Sequence, residues 1–215
     1  MQKSFDYNGL ENALIGKKGN FEVKRFGVWG TISEDEKKQQ EENFNKQKTQ
    51  LEEWTSLKCG EILFDSNVDD WSRDTSVLND KIIGKKQLTF FIEDEDDEIF
   101  GYYLNTHIVE KYEWQETDSK SFLFNLQSKN NRLKQPMKFE VKDLKYGGIQ
   151  LSEKSHHYLI TLGQIILYKE IEKNKSVCYQ SPDVFDYNHW ENSVLCGKKY
   201  PEKFTPKRIL VIQMI

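Results

Sequence analysis

The chain has few of the residues that staple or punctuate a fold: three cysteines, four prolines and twelve glycines in 215 residues. Cys59, Cys178 and Cys196 are far apart and odd in number, which suits free thiols in a reducing compartment better than a disulfide framework. Charge of one sign is lacking too. The 31 Lys and Arg face 35 Asp and Glu, a net −4 that offers no basic footprint for phosphate backbones or anionic lipid. The longest largely apolar stretch, Tyr158 to Tyr168, falls well short of the roughly 20 residues a membrane span requires. The opening MQKSFDYNGLENALIG has no apolar core behind a basic head, so no secretory signal is read and a cytoplasmic location is expected. What is present is a 13% share of aromatic residues, which argues for a packed core rather than a disordered chain.

An internal echo organises the sequence. Phe5 to Val28 reads FDYNGLENALIGKKGNFEVKRFGV, and Phe185 to Val211 reads FDYNHWENSVLCGKKYPEKFTPKRILV. Both carry FDYN, Glu-Asn, Gly-Lys-Lys, a Phe and then Lys-Arg before a β-rich run. Residues 1–30 therefore read as a duplicated domain tail, 31–57 as a helical connector and 58–215 as the main domain. In the connector, Ser33 stands three residues before Glu36, the spacing of a capping box, and a helix is expected from Ser33 to about Leu57. Its sparse large apolar residues, Phe44, Leu51, Trp54 and Leu57, form one narrow stripe suited to docking on the adjoining domain. Two heptads are too few to favour a coiled coil.

Beyond Lys58 the pattern is mostly strands, expected at Glu61–Phe64, Gln87–Ile92, Ile99–Asn105, Ser121–Gln127, Met137–Val141, Gly148–Leu151, Tyr158–Thr161, Ile165–Tyr168, Ser176–Tyr179 and Arg208–Met214. Asp74 to Ile83 reads as a helix with Asp74 as N-cap and Gly84 at C′. In Ser121–Gln127 the alternation is strict, with Phe122, Phe124 and Leu126 on one face and Leu123 on the other. The fold class expected is α+β, mainly β: an antiparallel two-sheet β-sandwich decorated with a few helices and preceded by one long N-terminal helix.

The ordered landmarks carry a resemblance. ILFDSNVDDWS (62–72), then IIGKKQLTFFIEDEDDEIFGYYLN (82–105), KSFLFNLQS (120–128), LGQIILYK (162–169) and FTPKRILVIQM (204–214) resemble the TLDc domain of the oxidation-resistance proteins and their relatives. The whole is similar to the small TLDc proteins of amoebozoan protists, in which a helical segment precedes the domain. The glycine-rich run usual before the closing strands is reduced here to Gly147-Gly148 and Gly197, and the closing strand reads LVIQM. The resemblance implies a non-enzymatic protein-interaction module with a role in oxidative or general stress response, and for several family members association with the vacuolar proton ATPase.

The motifs that invite chemistry read more simply as structure. Asp65-Ser66-Asn67-Val68-Asp69 imitates the start of a calcium loop, but Asp70 stands where the loop needs Gly and Ser76 where it needs Glu. The run Glu93 to Glu98 (EDEDDE) reads as a solvated hairpin turn of mutually repelling charges, with a protein contact as its second reading. His156-His157, on a strand, would point to opposite faces, and Cys178, His189 and Cys196 show no CxxC or HxxxH spacing. The three Gly-Lys-Lys sites, at Gly16, Gly84 and Gly197, lack the phosphate-loop context. No catalytic residue, cofactor or metal ligand is therefore assigned, and the binding residues are left open. Two other readings are carried. A stress-responsive nucleic-acid-associated regulator would use a basic face from Lys198, Lys199, Lys203, Lys207 and Arg208. A thiol antioxidant enzyme would need Cys59, Cys178 or Cys196 exposed with a depressed pKa. The duplicated tail points to a homodimer, its FEVKRFGVW favouring the same sheet edge as FTPKRILVI.

Overall fold

A computed structural model describes residues 33–110, 112–128, 133–187, 194–199 and 202–215, so the first copy of the echo lies outside the described residues. The chain divides into two compact units, Met1–Gln40 and Glu41–Ile215. In the first, Ser33 opens helix α1 (Glu34–Thr55) with the expected reciprocal cap. The Glu36 N–H donates to Ser33 Oγ at 3.2 Å and the Ser33 N–H donates to Glu36 Oε2 at 2.8 Å, which holds the Glu36 carboxyl below its ordinary range.

The second unit holds eleven described strands: β1 (Cys59–Asp65), β2 (Leu88–Asp94), β3 (Ile99–Leu104), β4 (Trp114–Gln115), β5 (Phe122–Gln127), β6 (Met137–Glu140), β7 (Ile149–Leu151), β8 (Tyr158–Leu162), β9 (Ile165–Tyr168), β10 (Val177–Cys178) and β11 (Pro206–Met214). They form two antiparallel sheets, ordered β1-β11-β2-β3-β5-β6 and β10-β9-β8-β7-β4. A short helix, α2 (Leu78–Ile82), and a 3₁₀ turn, Glu170–Lys175, complete it.

Period-two alternation explains why the six-stranded sheet is buried on both faces. One face turns Phe90, Ile92, Phe100, Tyr102, Leu123, Phe139 and Val211 toward the second sheet, whose Ile149, Leu151, Ile160, Leu162, Ile165 and Leu167 complete the main core. The other turns Phe91, Tyr103, Phe122, Phe124, Leu126, Leu210 and Ile212 toward the apolar stripe of α1, so that Phe44, Leu51, Trp54 and Leu57 cover it. The Phe44 ring meets Phe91 edge-on at 5.7 Å and Trp54 meets Phe122 at 5.9 Å. Only glycine fits at position 101, where an added Cβ would lie 1.9 Å from the carbonyl oxygen of Phe90 on the neighbouring strand.

The mainly-β sandwich and its leading helix are as the sequence predicts, with three local corrections. The Asp74–Ile83 helix is only the five residues of α2; Asp74 sits at φ 71° in a turn, and no side chain caps α2 at Val77. Gly84 does occupy the C′ position, at φ 77°, but Ile83 has already left the helix at ψ 136° and the Gly84 N–H donates to Ile108 O. Strand β11 is interior, flanked by β1 and β2, so its sequence does not belong to a sheet edge.

Candidate functional site

The acidic run caps the β2–β3 hairpin, and it is not the solvated, self-repelling turn its composition implies. Asp94 is fully buried, and its Oδ1 accepts from the N–H groups of Asp96 and Glu98 at 2.9 and 3.0 Å. Two lysines from the far end of the chain pair with five of its six carboxylates. Lys198 Nζ lies 3.2 Å from Asp94 and 3.3 Å from Glu95 and also pairs with Asp96, while Lys207 Nζ pairs with Glu93 at 2.5 Å and Asp97 at 3.0 Å. Burial alone would lower the Lys198 pKa, but Asp96, Asp94 and Glu95 together raise it. Arg208 is engaged too, holding both carboxylate oxygens of Asp65 at 3.2 and 2.7 Å. Of the five cations in the expected basic face, Lys198, Lys207 and Arg208 thus face carboxylates, and Lys199 and Lys203 remain exposed.

The calcium-like run is closed by protein groups. Asp65 meets Arg208, Asp69 meets Lys81 at 2.7 Å, and Ser66 Oγ accepts from the Ile209 N–H at 2.9 Å, locking β1 to β11. Trp71 anchors the run in the core. His156 and His157 lie in the turn before β8, not on opposite faces of a strand. Their rings stack at 4.2 Å, and His157 stacks on Tyr168 at 5.5 Å. The turn is shaped by the buried Lys169, whose Nζ donates to the carbonyls of Glu153, Lys154 and His156 at 2.8, 2.7 and 2.6 Å.

The thiols separate into two environments. Cys59 is half-buried on β1 near Met214, and burial pushes it up to about 11. Cys178 on β10 and Cys196 are 0% exposed and lie together with the carboxylate of Glu202, all three donor atoms within 4.8 Å of one another. Burial drives the Cys178 thiol well above its ordinary value. His189 lies outside the described residues. Sequence spacing hides this cluster, Glu202 included. The signal available was the longer YPEK (200–203) of the second echo, where the first copy has only Gly19-Asn20.

A further surface also escaped the sequence reading. Strand β4 ends the five-stranded sheet, and exposed Val109, Tyr112, Leu144 and Tyr146 gather about it. The Trp114 indole N–H donates to the Lys145 carbonyl, the Thr117 N–H to Leu144 O at 3.0 Å and Gln150 Nε2 to Tyr112 O at 2.8 Å. These bonds hold Tyr112 and Trp114 on the same edge as Leu144, Lys145 and Tyr146. Exposed aromatic and aliphatic side chains clustered at a sheet edge are the chemistry of a protein contact.

A family model for the TLDc domain matches residues 32–201, and the chain belongs to the TLDc-domain family. None of the curated proteins matches it. Membership in this family is consistent with a stress-related protein-interaction module. Among the described residues, no helix is long and apolar enough to cross a membrane.

Proposed function

We propose that this TLDc protein is a non-enzymatic, cytoplasmic interaction module of the oxidative or general stress response, and that its partner is the vacuolar proton ATPase. The observation that carries the reading is the family match over residues 32–201. The exposed edge at Val109, Tyr112, Leu144 and Tyr146 supports it by supplying a surface of the right chemistry. Against a thiol enzyme stand three cysteines of which two are fully buried and the third is pushed up rather than down. Against a nucleic-acid regulator stands the engagement of Lys198, Lys207 and Arg208 by carboxylates.

Capture from native lysate with the tagged full-length chain, with and without peroxide, tests the proposal. Vacuolar ATPase subunits should be enriched by the natural chain and depleted when Tyr112 and Tyr146 are both changed to Ala. Recovery of chromatin or transcription proteins in their place would overturn the partner while leaving the fold intact.

The same reading includes self-association through residues 1–30. Because the described copy of the echo forms the interior strand β11, the first copy would have to exchange with a partner's β11 rather than add to an edge. Light scattering on the full chain and on a chain starting at Ser33 checks this, and the same number of chains per particle in both would exclude it.

A further inference from the structure

Two thiols, a carboxylate and a phenol converge in the interior where β10, the loop before β11 and the end of the FDYN segment meet. Cys178 and Cys196 are 0% exposed, Tyr187 3% and Glu202 7%. Hydrogen bonds fix the segments that carry Cys178, Cys196 and Glu202. The Cys178 N–H donates to the Glu202 carbonyl at 3.1 Å, and the Phe204 N–H to Ser176 O at 2.9 Å, so the Glu202 loop runs beside β10. Asn125 Nδ2 donates to the Leu195 carbonyl at 2.7 Å, and Gly197 turns the chain at φ 73° directly after Cys196.

The hydrogen-bond account of the cluster does not close. Glu202 Oε2 is buried without a partner among the described residues, and so is the hydroxyl of Tyr187. Glu202 also holds a left-handed backbone, φ 27°, unusual for a residue with a side chain. An unpartnered buried carboxylate is costly, and proteins rarely keep one beside two thiols unless something answers its charge. Among the described residues no cation offsets it: burial raises the Glu202 pKa unopposed, and Lys198, the basic residue two positions after Cys196, is turned to Asp94, Glu95 and Asp96.

We propose that Cys178 Sγ, Cys196 Sγ and the Glu202 carboxylate form a structural binding site for one divalent zinc-class ion, with the Tyr187 hydroxyl donating a hydrogen bond to the ligand set. Sulfur ligands select zinc over magnesium or calcium, and a carboxylate is an accepted companion in tetrahedral sites. The donor atoms lie within 4.8 Å of one another, against roughly 3.5–3.8 Å for ligands about 2.3 Å (S) and 2.0–2.2 Å (O) from zinc, so contraction by about 1 Å completes the site. The three protein ligands leave the fourth tetrahedral position to an exogenous ligand such as water, unlike the closed four-ligand zinc sites. Each thiol loses its proton to solvent as its sulfur lone pair binds the ion, so two protons leave per ion bound. Two thiolates and one carboxylate around a divalent ion leave a net −1, which the Tyr187 hydroxyl softens as a donor. The site ties β10 to the two segments that lead into β11, and thus closes the second sheet against the first.

The test is cobalt(II) titration of the full-length chain, purified reduced and stripped with chelator. The expected result is saturation at one equivalent, thiolate-to-cobalt charge-transfer absorption in the near ultraviolet, intense tetrahedral bands in the visible, and loss of both on adding zinc(II). Cys59→Ser should leave the spectrum unchanged. Glu202→Gln should remove one ligand and weaken binding while the thiolate band persists, and Tyr187→Phe should weaken it about tenfold. Calorimetry in two buffers should report release of two protons, falling to one in Cys178→Ser. The unsubstituted chain decides the matter even if the cysteine variants do not fold. Saturating cobalt without a thiolate band, or a Cys178–Cys196 disulfide in the chain as isolated from cells, would overturn the proposal.

Discussion

Lys198 Nζ stands 3.2 Å from the fully buried Oδ2 side of Asp94, so an acidic turn in the first half of the domain is closed by a cation delivered just before the last strand. Breaking such a pair leaves a buried charge behind. Lys198→Met should therefore cost about 3 kcal/mol in urea denaturation at neutral pH. Burial raises the Asp94 pKa, against the opposing N–H bonds from Asp96 and Glu98 and the charge of Lys198. Protonating Asp94 removes the unpaired charge, so the deficit of the variant should shrink as pH falls through the raised folded value. A deficit that does not change with pH would mean that Lys198 acts by packing alone.

Asp65 behaves in the opposite sense. Burial would raise its pKa, but the Arg208 side chain and the Asn67 N–H outweigh it and the net shift is downward. A depressed folded value means that stability is fully present above the ordinary carboxylate range and is lost as pH falls through the folded value. Asp65→Asn should cost about 1 kcal/mol at neutral pH, given that Arg208 is partly exposed, and nothing once the carboxylate is protonated. Paired denaturation curves across that acid range check both halves of the statement.

The helix stripe is energetically part of the domain. Leu51→Ala should destabilise by about 3 kcal/mol and Trp54→Ala by about 2 kcal/mol, because each removes packing from the outer face of the six-stranded sheet. Glu53→Ala, on the exposed side, should have no measurable effect. If Leu51→Ala were equally neutral in chemical denaturation, the docking of residues 41–55 would be refuted.

Two glycines should respond differently to the same substitution. Gly101→Ala places a methyl group 1.9 Å from Phe90 O and 2.7 Å from Phe124 Cζ, and should yield no folded protein. Gly84→Ala meets no atom within 4 Å and bears only the strain of φ 77°, about 1 kcal/mol. Circular dichroism and melting of the two variants separate a clash from a strained backbone.

The elements that were legible in the sequence are those fixed by local rules. The Ser33–Glu36 cap, the alternation of Phe122, Leu123 and Phe124, and the left-handed turn at Gly84 each depend on residues a few positions apart. The misread pieces obey the same local chemistry with a different outcome. Asp74 has the residue type of an N-cap but serves a turn whose N–H donates to the Lys154 carbonyl. Strand β4 is two residues long, too short to show a period, and exists because Trp114 and Gln115 find Gln150 and Ile149 across the sheet edge.

Contacts made at long range were not legible. Nothing near EDEDDE announces Lys198 or Lys207, and nothing near Cys178 announces Cys196 and Glu202. The sheet order produces both: β11 lies against β2, bringing Lys207 beside Glu93, and β10 is bridged to the Glu202 loop through Val177 and Lys203. A family resemblance made of strand alternation and turn glycines therefore identified the module correctly, while the positions that carry its charges and thiols had to come from the three-dimensional arrangement.

A chain that acts by holding a protein partner must bind that partner directly when both are pure. Purified full-length chain would be sedimented with purified vacuolar proton ATPase, together with the Tyr112→Ala/Tyr146→Ala variant, in reducing buffer. Saturable cosedimentation of the natural chain, a change in ATP hydrolysis that follows occupancy, and loss of both in the variant are the expected results. No cosedimentation at saturating concentrations, or binding identical in the variant, would contradict the partner or the surface respectively.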